Sequence, residues 1–231
     1  GIENVAMGYR AMYSITSGIH NVAVGSGAMS FNSTGGDNVA VGTGSMLHNT
    51  SGDANVAVGK GSLDSNTTGS FNSALGFQTL ASNTSGSSNT AIGPQTLFGN
   101  TTGSNNNAMG FQTMALNKTG IQNNALGYQS LYSNLDGNGN TAIGTLSLAN
   151  HRTGDYNIAI GHQSLLSDSA GKYNIAIGLY TLNSNKTGSD NTANGNYALF
   201  NNLSGDDNTA IGKGALYGIT RGDFNTAVGE S

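Results

Sequence analysis

The sequence predicts an all-β fold: a parallel β-solenoid, or β-roll, built from 17-residue coils. Three observations predict it. One outline repeats with no insertion or deletion, each copy carries glycine at two fixed phases, and the apolar stretch between turn residues is too short for a helix.

The repeat is read from its asparagine. Asn4, Asn21, Asn38 and so on to Asn225 are spaced by 17 without exception. Two residues after each stands Ala, from Ala6 to Ala227, and four after stands Gly, from Gly8 to Gly229. Fourteen after comes a second Gly, from Gly18 to Gly222, and Gly1 shares its phase. These two phases hold 28 of the 36 glycines, so Gly marks turns at fixed places and is not linker filler.

Each element follows in order. The opening "NVAVG" or "NTAIG" alternates, so its second and fourth side chains share one face of a strand. Val, Ile and Thr at those positions suit a pleated surface. The fourth residue is aliphatic in thirteen of fourteen copies, Asn194 being the exception. Gly then ends the strand. The residue eight after the Asn is Leu or Met, as in Leu63, Leu97, Met114 and Leu199, and a small residue precedes it. This segment reads as a second short strand with one buried side chain. "NTTG" or "NKTG" closes the copy with turn chemistry. A pair of helices would need ~30 residues or more, so the copy is one solenoid coil. Coils stacked at ~4.8 Å tolerate no inserted residue, because it would break the ladders on both sides. On this reading the Val/Ile and Leu/Met rows fill the core, and stacked Asn amides bond along the axis.

The whole chain, residues 1–231, reads as a single repeat domain of about fourteen coils with no visible caps. Gly1 and Ser231 both fall in mid-repeat, so the expectation is a segment of something longer or a unit that stacks end to end. Charged residues are 9%, well under the ~25% of ordinary domains. A chain so polar could be disordered, but 36% hydrophobic residues at fixed intervals argue for order. The absence of Cys excludes disulfides and thiolate metal sites. A net charge of −4 argues against nucleic acid as partner. No apolar run approaches the ~20 residues of a membrane-spanning helix, so membrane insertion is not expected.

An enzyme would interrupt the repeat at its site, and the departures are few. His20, His48, His151 and His162 fall at four different phases. Asp53, Asp155, Asp206 and Asp223 share a phase that other residues fill elsewhere. "VGKG" at 58–61 lacks the Ser or Thr that a phosphate loop needs directly after Lys60. "RGD" at 221–223 uses the ordinary turn Gly222. N-x-S/T triplets occur eight times in one phase, starting at Asn32, Asn49 and Asn66, and read as turn residues before they read as glycan acceptors. Thr67–Thr68, Thr84–Ser85 and Thr101–Thr102 form a hydroxyl rank like an ice-binding face, but Lys118, Leu135, Arg152 and Lys186 continue it. No catalytic, cofactor-binding or metal residue is assigned, and no cofactor is expected.

Two stripes lie outside the expected core. Five after the Asn stand Phe77, Phe111 and Tyr128, and nine after stand Phe98, Tyr132, Leu166, Phe200 and Tyr217. Stripes of this kind are unusual on a dry monomer surface, and with a thin core they argue for contact with other chains.

The copies "NVAVGSGAM", "NTAIGKGAL" and "NTAVG" resemble the head repeats of trimeric autotransporter adhesins. With "NTTG" they resemble still more the repeats of phage tail fibres and related surface proteins. The resemblance covers all fourteen copies and implies a left-handed parallel β-roll with three chains side by side. It implies a non-enzymatic fibre shaft or adhesive head, placed outside the cell, on its surface or on a virion tail fibre. The expected partners are two further copies of the chain, or copies stacked end to end, with a host-surface receptor or glycan as ligand. A binding module, an ice-binding solenoid and a stacking filament of single solenoids are the alternative readings.

Overall fold

A computed structural model describes residues 1–230 as an all-β parallel β-solenoid. It comprises two compact units, Gly1–Thr119 and Gly120–Ser231. The first unit carries β1 (Val5–Met7), β2 (Val22–Val24), β3 (Val39–Val41), β4 (Val56–Val58), β5 (Ser73–Leu75), β6 (Thr90–Ile92) and β7 (Asn107–Met109). The second carries β8 (Asn124–Leu126), β9 (Thr141–Ile143), β10 (Ile158–Ile160), β11 (Ile175–Ile177), β12 (Thr192–Asn194), β13 (Thr209–Ile211) and β14 (Thr226–Val228). Within each unit every strand pairs in parallel with the next, and each residue lies opposite the one 17 further on, as Ala40 opposite Ala57 and Ala142 opposite Ala159.

Each coil has one strand of three residues, where two were expected. The second apolar segment is a turn, because its Leu or Met sits in the left-handed region: φ is 50° at Leu63 and 51° at Leu97. The ladder survives there all the same. Leu63 N–H donates to Thr79 O at 2.9 Å, one coil on, so the carbonyls and amides of the turn still bond along the stack. A left-handed residue costs roughly 1–2 kcal/mol, which burying a Leu side chain, at ~1.5–3 kcal/mol, offsets.

The core corrects a sequence expectation. The Leu/Met row is buried, as in Met46, Leu63, Leu80 and Leu165, and so is the Ala row. The Val/Ile row is not in the core. The period of two holds, but the inward side chain of each strand is Ala, so the aliphatic residues on either side of it point outward. The reason is space: in a 17-residue coil the Leu of the turn and two Asn side chains already fill the interior, leaving room for a methyl group.

Those two Asn rows close the coil. Asn55 Nδ2 and Asn66 Nδ2 both donate to Gly69 O, each at 2.9 Å. Each amide also reaches the coil before: Asn55 Nδ2 donates to Asn38 Oδ1 at 3.1 Å, and Asn66 Nδ2 to Asn49 Oδ1 at 2.7 Å. Gly69 has no room for a side chain, since a Cβ there would overlap the Gly86 carbonyl and lie 2.5 Å from Asn66 Oδ1.

This geometry ranks two substitutions. Leu97→Ala should cost about 2–5 kcal/mol through the cavity it leaves. Gly69→Ala should cost at least as much, although it adds one methyl and removes no contact. Urea unfolding of the two variants checks the order.

Candidate functional site

Among the described residues, the row that runs through Asn32, Asn49, Asn66 and their equivalents departs from Asn at Ile15, His151, Asp168 and Ile219, and only the middle two are ionisable. His151 and Asp168 are both fully buried. His151 Nδ1 lies 2.6 Å from Asp168 Oδ2, and its Nε2 lies 2.8 Å from Gly154 O. Asp168 Oδ1 accepts from Gly171 N–H at 3.2 Å and from Asn185 Nδ2 at 2.9 Å. Both ring nitrogens face oxygens, a carboxylate oxygen at Nδ1 and a backbone carbonyl at Nε2. The arrangement resembles a catalytic dyad, yet most of its bonds repeat those that Asn makes elsewhere in the row, and no side of it faces solvent; Asp168 has no N–H to offer Gly171 O, which accepts from Asn157 Nδ2 at 2.8 Å. It is a structural substitute for two asparagines. Sequence reasoning set His151 aside and did not connect it to Asp168. The available signal was that both fall in the phase of the sequon asparagines.

The other histidines lie on the surface in different settings. His20 sits between Glu3 and Asp37, at 2.6 and 3.3 Å. His48 stacks on Phe31 with ring centres 5.5 Å apart, and His162 meets Tyr180 edge-on. No group of three or more metal-ligating side chains forms among the described residues.

The aspartate phase has a structural use. Asp53, Asp155, Asp206 and Asp223 each accept, through Oδ1, the backbone N–H of the residue one coil back, at 2.7–3.0 Å. Ser70 and Ser87 do the same with a hydroxyl. Asp223 of the RGD triplet is thus engaged by its own fold. The sequon asparagines Asn32, Asn49 and Asn66 are fully buried, so the folded chain offers them to no glycosyl transfer. In the hydroxyl rank, Thr67 and Thr84 donate Oγ1–H to Thr84 O and Thr101 O, which ties them to the ladder.

An extended uncharged surface is the outward face of the strands, mostly aliphatic with Ser, Thr or Asn at nine positions such as Ser73, Asn107 and Thr192. The first and third residues of β1 to β14 face outward, and none of them is charged. Leu75, Met109, Leu126, Ile143 and Ile177 are all exposed there. In each unit, rows at ~4.8 Å and a strand width of ~10 Å make this face about 300 Å², the size at which apolar patches mark interaction sites.

No protein-family model matches the chain, and no curated protein matches it. Its surfaces therefore carry the functional reading.

The aromatic stripes are outside the core, as expected. Phe77, Phe111 and Tyr128 are exposed, and Tyr217 stacks on Phe200 at 5.2 Å. Rings one coil apart lie face to face, as Tyr156 on Tyr173 at 5.6 Å, and so present their edges to solvent.

Two outcomes follow. His151→Asn alone leaves a buried carboxylate against an amide and should cost about 3–5 kcal/mol. Adding Asp168→Asn should recover most of that loss, and thermal melts of the single and double variants measure the coupling. Asp155 supplies a pH dependence. Burial raises its carboxyl, but the Lys172 ammonium at 2.8 Å and the Asn138 amide outweigh this and hold it below 3.8. Its contribution is present above the unfolded value and is lost as pH falls through the folded one. The Tm advantage of the parent chain over Asp155→Asn should therefore shrink below pH 3.8, and little of it should survive high salt.

Proposed function

We propose that this chain is a non-enzymatic structural segment, the shaft or head of a homotrimeric fibre of the tail-fibre or surface-adhesin kind, working outside the cell or on a virion. The observation that carries the reading is the uncharged, mainly aliphatic face of the strands. A monomer in water gains nothing from twenty-eight outward strand positions without one charge. A partner must match rows that recur at every coil, and a second copy of the same chain meets that condition along its whole length. Three copies around one axis, as the repeat resemblance implies, cover the face of each chain and leave the polar turns in water. The mechanism is mechanical: Asn and Gly rows fix the coil, Ala and Leu/Met rows fill it, and the strand face joins chains.

Sedimentation equilibrium tests the reading. The expected mass is three times 23.4 kDa. Ile160→Lys places a charge on the exposed strand face and should reduce the mass to that of one chain without loss of β-structure. A native chain that sediments as a stable monomer sinks the proposal.

A further inference from the structure

One corner of the first unit is shaped by a single change of side chain. Two residues past the strand glycine, the repeat carries Gln78, Gln95, Gln112, Gln129 and Gln163, but also Gly27, Gly44 and Gly61. The backbone is the same in both cases: φ is 65° at Gly61 and 51° at Gln78. Only the side chain is missing. A Cβ at Gly44 would meet nothing within 4 Å, and one at Gly61 would meet only Gln78 Cγ at 3.6 Å. Where this glycine run ends against Gln78, a cavity of about 270 Å³ opens, lined by Gly44, Gly61, Lys60, Asp64, Phe77 and Gln78 among others.

We propose that this cavity binds one neutral, hexose-sized sugar ring. Its volume falls just below the ~300 Å³ at which drug-sized sites begin, so it takes one ring and no more. Phe77, 46% exposed, offers an apolar surface for the C–H face of a sugar. The polar groups cover both halves of hydroxyl chemistry. Lys60 donates, Asp64 accepts, and the Gln78 amide does both. Lys60 is in ion-pair contact with no carboxylate among the described residues. The Asp64 carboxyl is raised above its usual range by burial, with His48 acting the other way, and it is 3.7 Å from His48 Nδ1. One cation and one carboxylate on the same small cavity disfavour a phosphate and a metal ion alike. A polyhydroxylated neutral ring satisfies both.

The site uses none of the outward strand positions, so it does not rest on the trimeric reading. Its test is an NMR titration of the isotope-labelled chain with the methyl glycosides of glucose, galactose, mannose and N-acetylglucosamine. Shifts confined to residues 43–78 are expected with at least one of them. Two variants borrow residues that the repeat itself carries at these phases and so keep the fold. Gly61→Gln fills the cavity as Gln78 fills the next, and Phe77→Thr copies Thr43. Each should weaken binding about tenfold; Phe77→Thr should leave the melting curve in place, while Gly61→Gln, at a φ of 65°, should lower it slightly without loss of cooperativity. A glycan array then separates sources: retention on sugar-terminated chains assigns the site to a glycan end, and binding of free glycosides alone assigns it to a small sugar. No shift with any of the four glycosides overturns the proposal, as does undiminished binding in Gly61→Gln. Neither result touches the fibre reading, which sedimentation decides.

Discussion

The solenoid depends on one carbonyl per coil. In the coils that carry both Asn residues, the oxygen of the closing glycine accepts two amides from its own coil, as Gly69 O does from Asn55 and Asn66. One Asn stands at the start of the coil and the other three residues before the glycine, so the oxygen ties beginning to end. Their side-chain oxygens meanwhile accept from the amides one coil on, which ties neighbour to neighbour. A coil of sixteen or eighteen residues would misplace one amide of the pair in a fully buried site, where an unmade hydrogen bond costs roughly 1–3 kcal/mol. The invariance of the 17-residue step follows from this clamp together with the bonds between coils, which also hold the coils where Ile15, Asp168 or Ile219 replaces one of the two Asn.

The clamp also decides which way the strands face. Two Asn side chains and the Leu or Met of the turn occupy the interior, and a three-residue strand can add only a methyl. The larger residues of each strand are therefore driven outward and form a face mostly of Val, Ile, Leu and Met, with Thr, Ser and Asn between them. In a wider coil the same alternation would have buried them. The apolar surface proposed for assembly is thus a by-product of a polar interior. A fold that closes itself with amides has little hydrophobic core of its own and gains from burying its outside against a copy.

Period, strand placement and turn glycines were legible in the sequence because they are one-dimensional facts: a count of 17, an alternation of two and a residue without Cβ. The face was not legible. Alternation states that Val39 and Val41 lie together opposite Ala40, but only the volume inside the coil says which side is in. The left-handed turn at Leu63 and Leu97 was hidden for a related reason. Local propensity disfavours a Leu there, and bonds between coils, which a local pattern does not display, override it. The His151–Asp168 pair was legible in principle, since both residues sit in an Asn phase. What the spacing could not supply was that this phase is interior, which turns two surface-looking residues into a buried pair.

The same division explains where function can be written on such a chain. Interior phases have little freedom: Ala, the two Gly and the first Asn recur throughout, and the second Asn gives way only to Ile15, His151, Asp168 and Ile219. Outer phases are free, because a change there leaves the ladder intact. Gly44 and Gly61 share a backbone conformation with Gln78, so the exchange alters shape without altering fold. Asp64 and Lys60 entered the same corner under the same freedom. A repeat built this way can keep its strand face and still carry, at a single corner, a cavity set by a Gly-to-Gln step beside an aromatic ring, a cation and a carboxylate. The proposed sugar site rests on that local departure from the repeat, not on the repeat itself.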